Sequence, residues 1–261
     1  DAAGNTGTAS AVSRTCDAIA PSTTDDGPAS WVPADVTVTL SPTDARSGVA
    51  GTNTCVDSAN TCVPSTPGTT VSVTCAAGAV CPKYVRYRST DNVANVETTK
   101  SKLVRIDKQV PVTSDNAPAA WQAADVNVTL SPSDGAGSGV ASTVFCTDSS
   151  NTCSPLTAYG SPVAVTCTSG NVCQTYVRFS STDVVANGET VVSKLVRIDK
   201  QAPATTDDAP AAWQGADVTV TLSASDGGGS GVSGINYCTD AANTCAPATA
   251  YATPFSVACS P

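Results

Sequence analysis

The chain has 261 residues, with 22 Asp and Glu against 13 Lys and Arg, and its formal net charge is −9. Such an acidic surface repels phosphate backbones, and no segment reaches the about 18 apolar residues of a membrane helix, so we expect neither a nucleic-acid partner nor membrane insertion. The absence of His excludes Ser-His-Asp and Cys-His catalytic sites, and the absence of Met predicts a processed chain or a segment of a longer one.

Residues 1–20 resemble the end of a repeat more than the start of a domain. They align without a gap with residues 183–202, so that Asp17 falls on Asp199. We therefore expect residues 1–20 to be the terminal strand of a repeat whose body is absent. Two interpretations stay open: the chain is a segment of a longer repeat protein, or this strand is donated to the open edge of a neighbouring copy.

From residue 21 onward the sequence repeats itself with a period of 90 to 92 residues. The phrase "SKLVRIDKQ" occurs twice, and equivalent Pro and Trp residues keep the same spacing in three copies. They are Pro21, Pro111 and Pro203, followed by Trp31, Trp121 and Trp213. The period predicts three domains, over residues 21–110, 111–202 and 203–261, and the last of them is incomplete.

Within each repeat the elements follow a fixed order. An alternating run, "DVTVTL" in the first repeat, places Val36, Val38 and Leu40 on one face of a strand. A turn rich in Asp, Ser and Gly follows, then strands that end in Cys, and the runs "CPKYVRYRSTD" and "KLVRID" supply the last two strands. We expect each Trp, as well as Tyr87 and Phe179, to fill the core of its own domain.

Six or seven short strands in roughly 90 residues are typical of a β-sandwich. A propeller is the rival architecture, but its blades run to roughly 40–50 residues, and the two halves of this repeat do not resemble each other. Thr and Val favour strands, and helix-forming residues are scarce. The predicted fold class is all-β, with tandem sandwich repeats in an extended array.

The segments "TTDDGPASW", "DVTVTL" and "YVRYRSTDNVANVE" resemble the Ig-like repeats of bacterial extracellular proteins, and the resemblance covers essentially the whole chain. It implies an immunoglobulin-like sandwich and an association with cell-surface stalks, adhesive arrays and spacer modules. The sequence departs from the family pattern in two places. Each repeat carries added cysteines, and "NVAN" and "VVAN" lack the Gly of the family's A-G-N turn.

Most of the 12 cysteines form close pairs within a repeat. Their spacing is too wide for common zinc ligand pairs, so we expect local disulfides and an oxidising, extracellular or cell-surface location. The pairs are Cys55–Cys62, Cys75–Cys81, Cys146–Cys153, Cys167–Cys173 and Cys238–Cys245. Cys16 and Cys259 remain, and they either pair with cysteines outside this sequence or form an intermolecular disulfide. Because Cys16 aligns with Ile198, it should face inward.

Aspartates recur where one repeat ends and the next begins. Because Ca²⁺ prefers carboxylate oxygens, these residues are candidates for calcium sites at the repeat junctions, although no EF-hand spacing is present. The candidate ligands are Asp17, Asp25, Asp107, Asp115, Asp199 and Asp207. No other cofactor is expected. Asn127 starts an Asn-Val-Thr glycosylation acceptor and should point outward.

No residue pattern predicts an enzyme. "GGGSG" lacks the Lys of a phosphate loop, and the paired carboxylates lie at repeat junctions, not in a cleft. We expect a structural subunit or segment of an extracellular filament or surface stalk. Its partners would be neighbouring copies of itself or further repeats of the same chain. An adhesin or carbohydrate-binding module and the spacer of a larger secreted enzyme are the alternatives.

Overall fold

The structure is a computed structural model that describes residues 2–10 and 14–259. Across these residues the regular secondary structure consists of strands without helices, which confirms the all-β fold class. None of this part of the chain forms a helix that could span a membrane. The fold divides into two compact units, and the first runs to Pro111 and also includes residues 134–141 and 182–188. The second comprises residues 112–133, 142–181 and the chain from Glu189 onward.

The first repeat forms a sandwich of a three-stranded and a five-stranded sheet. Its strands are β1 (Ser22–Asp25), β2 (Trp31–Val32), β3 (Val36–Thr43), β4 (Val49–Asp57), β5 (Thr66–Pro67), β6 (Thr70–Val73), β7 (Val80–Asp91) and β8 (Lys100–Asp107). One sheet has the order β1-β3-β6, and the other has the order β2-β8-β7-β4-β5. The pairing is antiparallel except between β2 and β8, which run parallel.

Strand alternation builds the core of this first sandwich. On β3, Val38 and Leu40 are buried while Thr37 and Thr39 are exposed, as the alternating run predicts. Each sheet contributes its inward-facing residues to one cluster of side chains. The buried members are Val38, Leu40, Val71, Val73 and Cys75 from one side, and Val85, Tyr87, Val104 and Ile106 from the other.

The second repeat builds the same arrangement from β9 to β16. These strands are β9 (Val112–Asp115), β10 (Val126–Val128), β11 (Leu130–Ser133), β12 (Val140–Asp148), β13 (Thr157–Ala158), β14 (Val163–Val165), β15 (Val172–Asp183) and β16 (Val192–Asp199). A four-stranded sheet has the order β13-β12-β15-β16. On the other side of the core, β9 pairs with β11 and β10 pairs with β14. Phe179 on β15 is the largest fully buried side chain of the core, and Tyr87 takes the equivalent place in the first repeat. Both residues lie in a core, as expected.

The third repeat has six short strands, and little of it is buried. They are β17 (Ala204–Asp207), β18 (Val218–Val220), β19 (Leu222–Ser225), β20 (Asn236–Tyr237), β21 (Thr249–Ala250) and β22 (Phe255–Val257). The sequence contains no counterpart of β15 and β16 for this repeat. Among its described apolar residues only Val220 is buried, because this repeat has no residues equivalent to Val177, Phe179, Val196 and Ile198 of the second core.

The tryptophans are not core residues, which corrects the sequence prediction. Trp31 and Trp121 are only partly buried, and Trp213 is fully exposed. The physical reason is the parallel pairing of this segment with the edge of the larger sheet. Trp31 pairs with Arg105 on β8, and the Arg197 guanidinium lies 6.0 Å from the centre of the Trp121 ring. The third repeat has no such edge strand, so nothing covers Trp213.

Candidate metal centre

Two clusters of three aspartates recur at equivalent positions of the fold. One contains Asp17, Asp44 and Asp91, and the other contains Asp107, Asp134 and Asp183; in each, carboxylate oxygens from all three residues lie within 4.8 Å of one another. We call the second set the Asp134 cluster. Its residues all lie in the first compact unit. Asp107 ends β8, Asp134 begins the turn after β11, and Asp183 ends β15.

The glycine-rich turn "SDGAGSGV" orients two carboxylates of the Asp134 cluster. The Gly139 N–H donates to Asp134 Oδ2 at 2.7 Å, and the Ser138 N–H donates to Asp107 Oδ2 at 2.5 Å. A Cβ at Gly137 would lie 2.5 Å from Asp134 Oδ2 and 2.6 Å from Asp107 Oδ2. Glycine at this position therefore leaves room for both carboxylates beside the turn.

A second turn fixes Asp183. Its carboxylate accepts the N–H groups of Val185 and Asn187 at 3.0 and 2.7 Å, and the Asn187 side-chain amide donates to it at 2.7 Å. The same amide nitrogen donates to the carbonyl of Asp107 at 3.1 Å. Asn187 therefore connects two members of the cluster, and Asn95 makes the equivalent contacts to Asp91 and Asp17.

The Asp134 cluster concentrates negative charge in a buried place. Asp107, Asp134 and Asp183 are 0%, 5% and 2% exposed. No Lys or Arg of the described chain forms an ion pair with any of them. Burial raises the pKa of Asp134, and the charges of Asp107 and Asp183 raise it further. Buried like charges of this kind favour the presence of a cation.

Two polar atoms of the turn at residues 134–139 lack hydrogen-bond partners among the described residues. Asp134 Oδ1 and the hydroxyl of Ser138 are both buried and unpaired. Buried polar oxygens are nearly always satisfied, and both of these atoms belong to types that coordinate hard cations. Both atoms belong to the turn whose Ser138 N–H binds Asp107.

The first cluster differs in burial and charge. Asp17 and Asp44 are partly exposed, and Arg46 stands where the Asp134 cluster has its glycines. The Ile19 N–H lowers the pKa of Asp17 most, and the positive charge of Arg46 adds to this effect. Because Arg46 already supplies positive charge near Asp17, a metal ion would stabilise this cluster less. The Asp134 cluster is therefore the stronger candidate for a metal site.

The third repeat contains two members of a corresponding cluster. The Ser230 N–H donates to Asp199 Oδ2, and the Gly231 N–H donates to Asp226 Oδ2. Asp226 is 7% exposed, and its Oδ1 is buried without a partner in the described chain, as for Asp134. No residue of this repeat aligns with Asp183.

The structure brings Asp17, Asp107 and Asp199 into these clusters, but it places the other three predicted ligands elsewhere. Asp25 accepts a hydrogen bond from the Tyr87 hydroxyl at 2.7 Å, Asp115 pairs with Lys194 at 3.4 Å, and Asp207 accepts the N–H of Ala209. The junction pattern did not point to the aspartates of the turns or of the long strand ends. They are Asp44, Asp134 and Asp226, and Asp91 and Asp183. Their identity in every copy ("SPTD", "SPSD", "SASD" and twice "STD") was the signal available.

Ala94 and Ala186 occupy the glycine position of the family's A-G-N turn, and each has a positive φ, 72° and 71°. This left-handed conformation costs a residue with a Cβ about 1 kcal/mol. We expect Ala94→Gly and Ala186→Gly each to raise the free energy of unfolding by roughly that amount, as measured by urea denaturation. Ala164→Gly on the exposed face of β14 is the control and should destabilise the protein.

The structure contains five disulfides, in the pairs that the cysteine spacing predicts. In each of the three loops closed by a disulfide with a separation of seven residues, an aspartate accepts backbone N–H groups. Asp57, for example, accepts the N–H groups of Asn60, Thr61 and Cys62. Five disulfides are typical of proteins that fold in an oxidising, extracellular environment.

Cys16 and Cys259 are free and exposed. The inward orientation expected of Cys16 is wrong, because residues 14–20 form no strand and pair with no sheet. Asn127 lies on β10 with an exposed side chain, so the predicted glycosylation acceptor is accessible.

Comparisons with known proteins give a fold neighbour only. No family model matches the sequence, and no curated protein matches it. Among solved structures, the fibronectin(III)-like modules of Clostridium thermocellum CbhA match 68% of this chain and 93% of their own, with 15% identity and a TM-score of 0.31. The sandwich assignment therefore rests on the strand pairing and the buried cores of the two repeats themselves.

Proposed function

We propose that this chain is a structural segment of an extracellular protein built from disulfide-stapled sandwich repeats. The repetition of one construction supports the proposal. Two complete repeats carry equivalent cores and equivalent pairs of disulfides, and the sequence contains no His. Such redundancy suits a role in which length and rigidity matter more than a single site.

Further repeats of the same protein are the partners that fit best. The open third repeat needs strands equivalent to β15 and β16 to bury its core. A donated strand from residues 1–20 of another copy would place Arg14 where Val104 and Val196 are fully buried. An unpaired guanidinium in that core is strongly unfavourable. Donation of this strand to the third repeat is therefore unfavourable.

Electron microscopy of the native protein tests the proposal. Long uniform fibres or surface stalks with a beaded repeat are the expected result. A compact globular particle with measurable hydrolytic activity would contradict it. An adhesin is the alternative function. Carbohydrate binding by an adhesin requires an exposed aromatic side chain, and Trp213 is exposed. Binding to a glycan array would support this alternative.

Non-reducing electrophoresis addresses the two free cysteines. If the chain is a segment of a longer repeat protein, Cys16 and Cys259 have their partners outside this sequence. We then expect the purified 261-residue chain to run as a monomer once free thiols are blocked. A ladder of covalent oligomers that is lost in a Cys16→Ser variant would instead establish an intermolecular disulfide. Cys259→Ser is the matching second variant.

A further inference from the structure

We propose that Asp107, Asp134 and Asp183 bind a Ca²⁺ ion. The three side chains are buried, and their carboxylate oxygens lie within 4.8 Å of one another. Two ligands that share one Ca²⁺ at 2.3–2.6 Å are at most about 5 Å apart, so the oxygens are already at coordinating separations. The inference goes beyond the structural role proposed above and does not depend on it.

Charge identifies the kind of ligand. Three carboxylates within one cluster repel each other, and the described chain offers no Lys or Arg ion pair to balance them. A hard dication compensates this repulsion, and an all-oxygen ligand set without Cys or His disfavours zinc and copper. Ca²⁺ also tolerates irregular geometry, which suits ligands from one turn and two strand ends better than the strict octahedron of Mg²⁺.

The unpaired oxygen of Asp134 is the independent observation. The residue is 5% exposed, and no described group donates to its Oδ1, although its Oδ2 accepts the N–H of Gly139. A carboxylate held in place by one oxygen and left unsatisfied at the other is ready to coordinate a cation. The buried Ser138 hydroxyl adds a second unsatisfied oxygen in the turn that binds Asp107.

The site joins sequence segments from two repeats. Asp107 ends the first repeat, whereas Asp134 and Asp183 belong to the second. Bound Ca²⁺ would therefore fasten the turn at residues 134–139 and the end of β15 to the end of β8. We expect calcium to stabilise these segments more than the cores of the sandwiches.

Thermal unfolding of the full chain, in EDTA and in Ca²⁺, tests this inference. At a Ca²⁺ concentration about 100 times Kd, the midpoint of the wild-type protein should rise by about 5 °C or more. Asp134→Asn should abolish this rise. In EDTA the same variant should unfold at a higher temperature than wild type, because it removes one of three mutually repelling charges. Asp207→Asn, an equal loss of charge outside the clusters, should keep the wild-type response.

The result with the variant separates a binding site from a folding defect. A variant that merely folds poorly would unfold earlier in EDTA as well as in Ca²⁺, so a higher midpoint in EDTA supports the site. Isothermal titration with CaCl2 should show one fewer bound ion in Asp134→Asn than in wild type. An unchanged wild-type midpoint in Ca²⁺, or equal stabilisation by Mg²⁺, would overturn the proposal.

Discussion

Replacing Phe179 by Ala should lower the stability of the second sandwich by about 3–5 kcal/mol. Phe179 is 0% exposed and is the largest of the fully buried side chains. It lies on β15 and packs in a cluster with residues of both sheets, including Val128 and Val196. The substitution removes the aromatic ring from a close-packed core and leaves a cavity that the stiff strands cannot fill.

Hydrogen exchange measures this loss separately in each sandwich. The amide protons of β15 and β16 should lose protection by about a hundredfold or more, since each 1.4 kcal/mol is a factor of ten. Those of β7 and β8 in the first sandwich provide an internal reference. Leu156→Ala, which truncates a side chain that is 83% exposed, is the control and should change protection little. Equal loss in both sandwiches would contradict the assignment of Phe179 to one closed core.

The strand pattern was predictable because it depends on local chemistry. Alternation on β3 gave the correct inward face, and Tyr87 and Phe179 lie in the cores. The tryptophans were not predictable in this way. Their burial depends on which strand edge the segment before β3 lies against. In the first repeat that segment pairs in parallel with β8, where Trp31 lies opposite Arg105, far along the chain. Periodicity carries no information about such a contact.

The candidate metal centre was half predictable for a similar reason. The repeat junction pointed to Asp107, which ends a strand, but Asp134 and Asp183 are 27 and 76 residues further on in sequence. Only the fold brings these three carboxylates together. Asp115 occupies an equally conspicuous position at the start of the repeat, yet Lys194 on β16 forms an ion pair with it at 3.4 Å. Sequence position alone does not distinguish an aspartate that pairs with a Lys side chain from one that lacks such a partner.

A buried polar cluster joins the two sheets of the first sandwich, and Glu97 is its centre. Glu97 is 6% exposed and accepts the N–H of Thr23 at 2.8 Å and the Thr23 hydroxyl at 2.7 Å. The Thr23 hydroxyl also contacts the Ser89 hydroxyl at 2.7 Å, and Ser89 contacts Thr52 at 2.8 Å. Lys100 pairs with Glu97 at 2.7 Å. The cluster therefore connects β1 of one sheet to β7 and, through Ser89, to β4 of the other.

Glu97→Ala should destabilise the first sandwich by about 3 kcal/mol. The substitution leaves the buried Thr23 N–H and hydroxyl without their acceptor, and unsatisfied buried donors cost more than the hydrogen bonds contributed. Glu97→Gln keeps the shape but loses the charge and presents an amide to groups that donate, so its cost should be intermediate. Hydrogen exchange of β7 and β8 amides is the measurement, with β15 and β16 as the unaffected reference.

The stability that the Glu97 carboxylate contributes should decrease in acid. Burial alone would raise the pKa of Glu97, but hydrogen bonds from Lys100 and Thr23 outweigh it and hold the pKa below the ordinary 4.5. Since the folded state prefers the ionised form, the resulting stability is present above pH 4.5 and is lost as the pH falls through the lowered pKa. The difference in thermal midpoint between wild type and Glu97→Gln should therefore shrink below pH 4.5. A difference that stays constant into acid would mean that packing, and not the buried charge, holds the two sheets together.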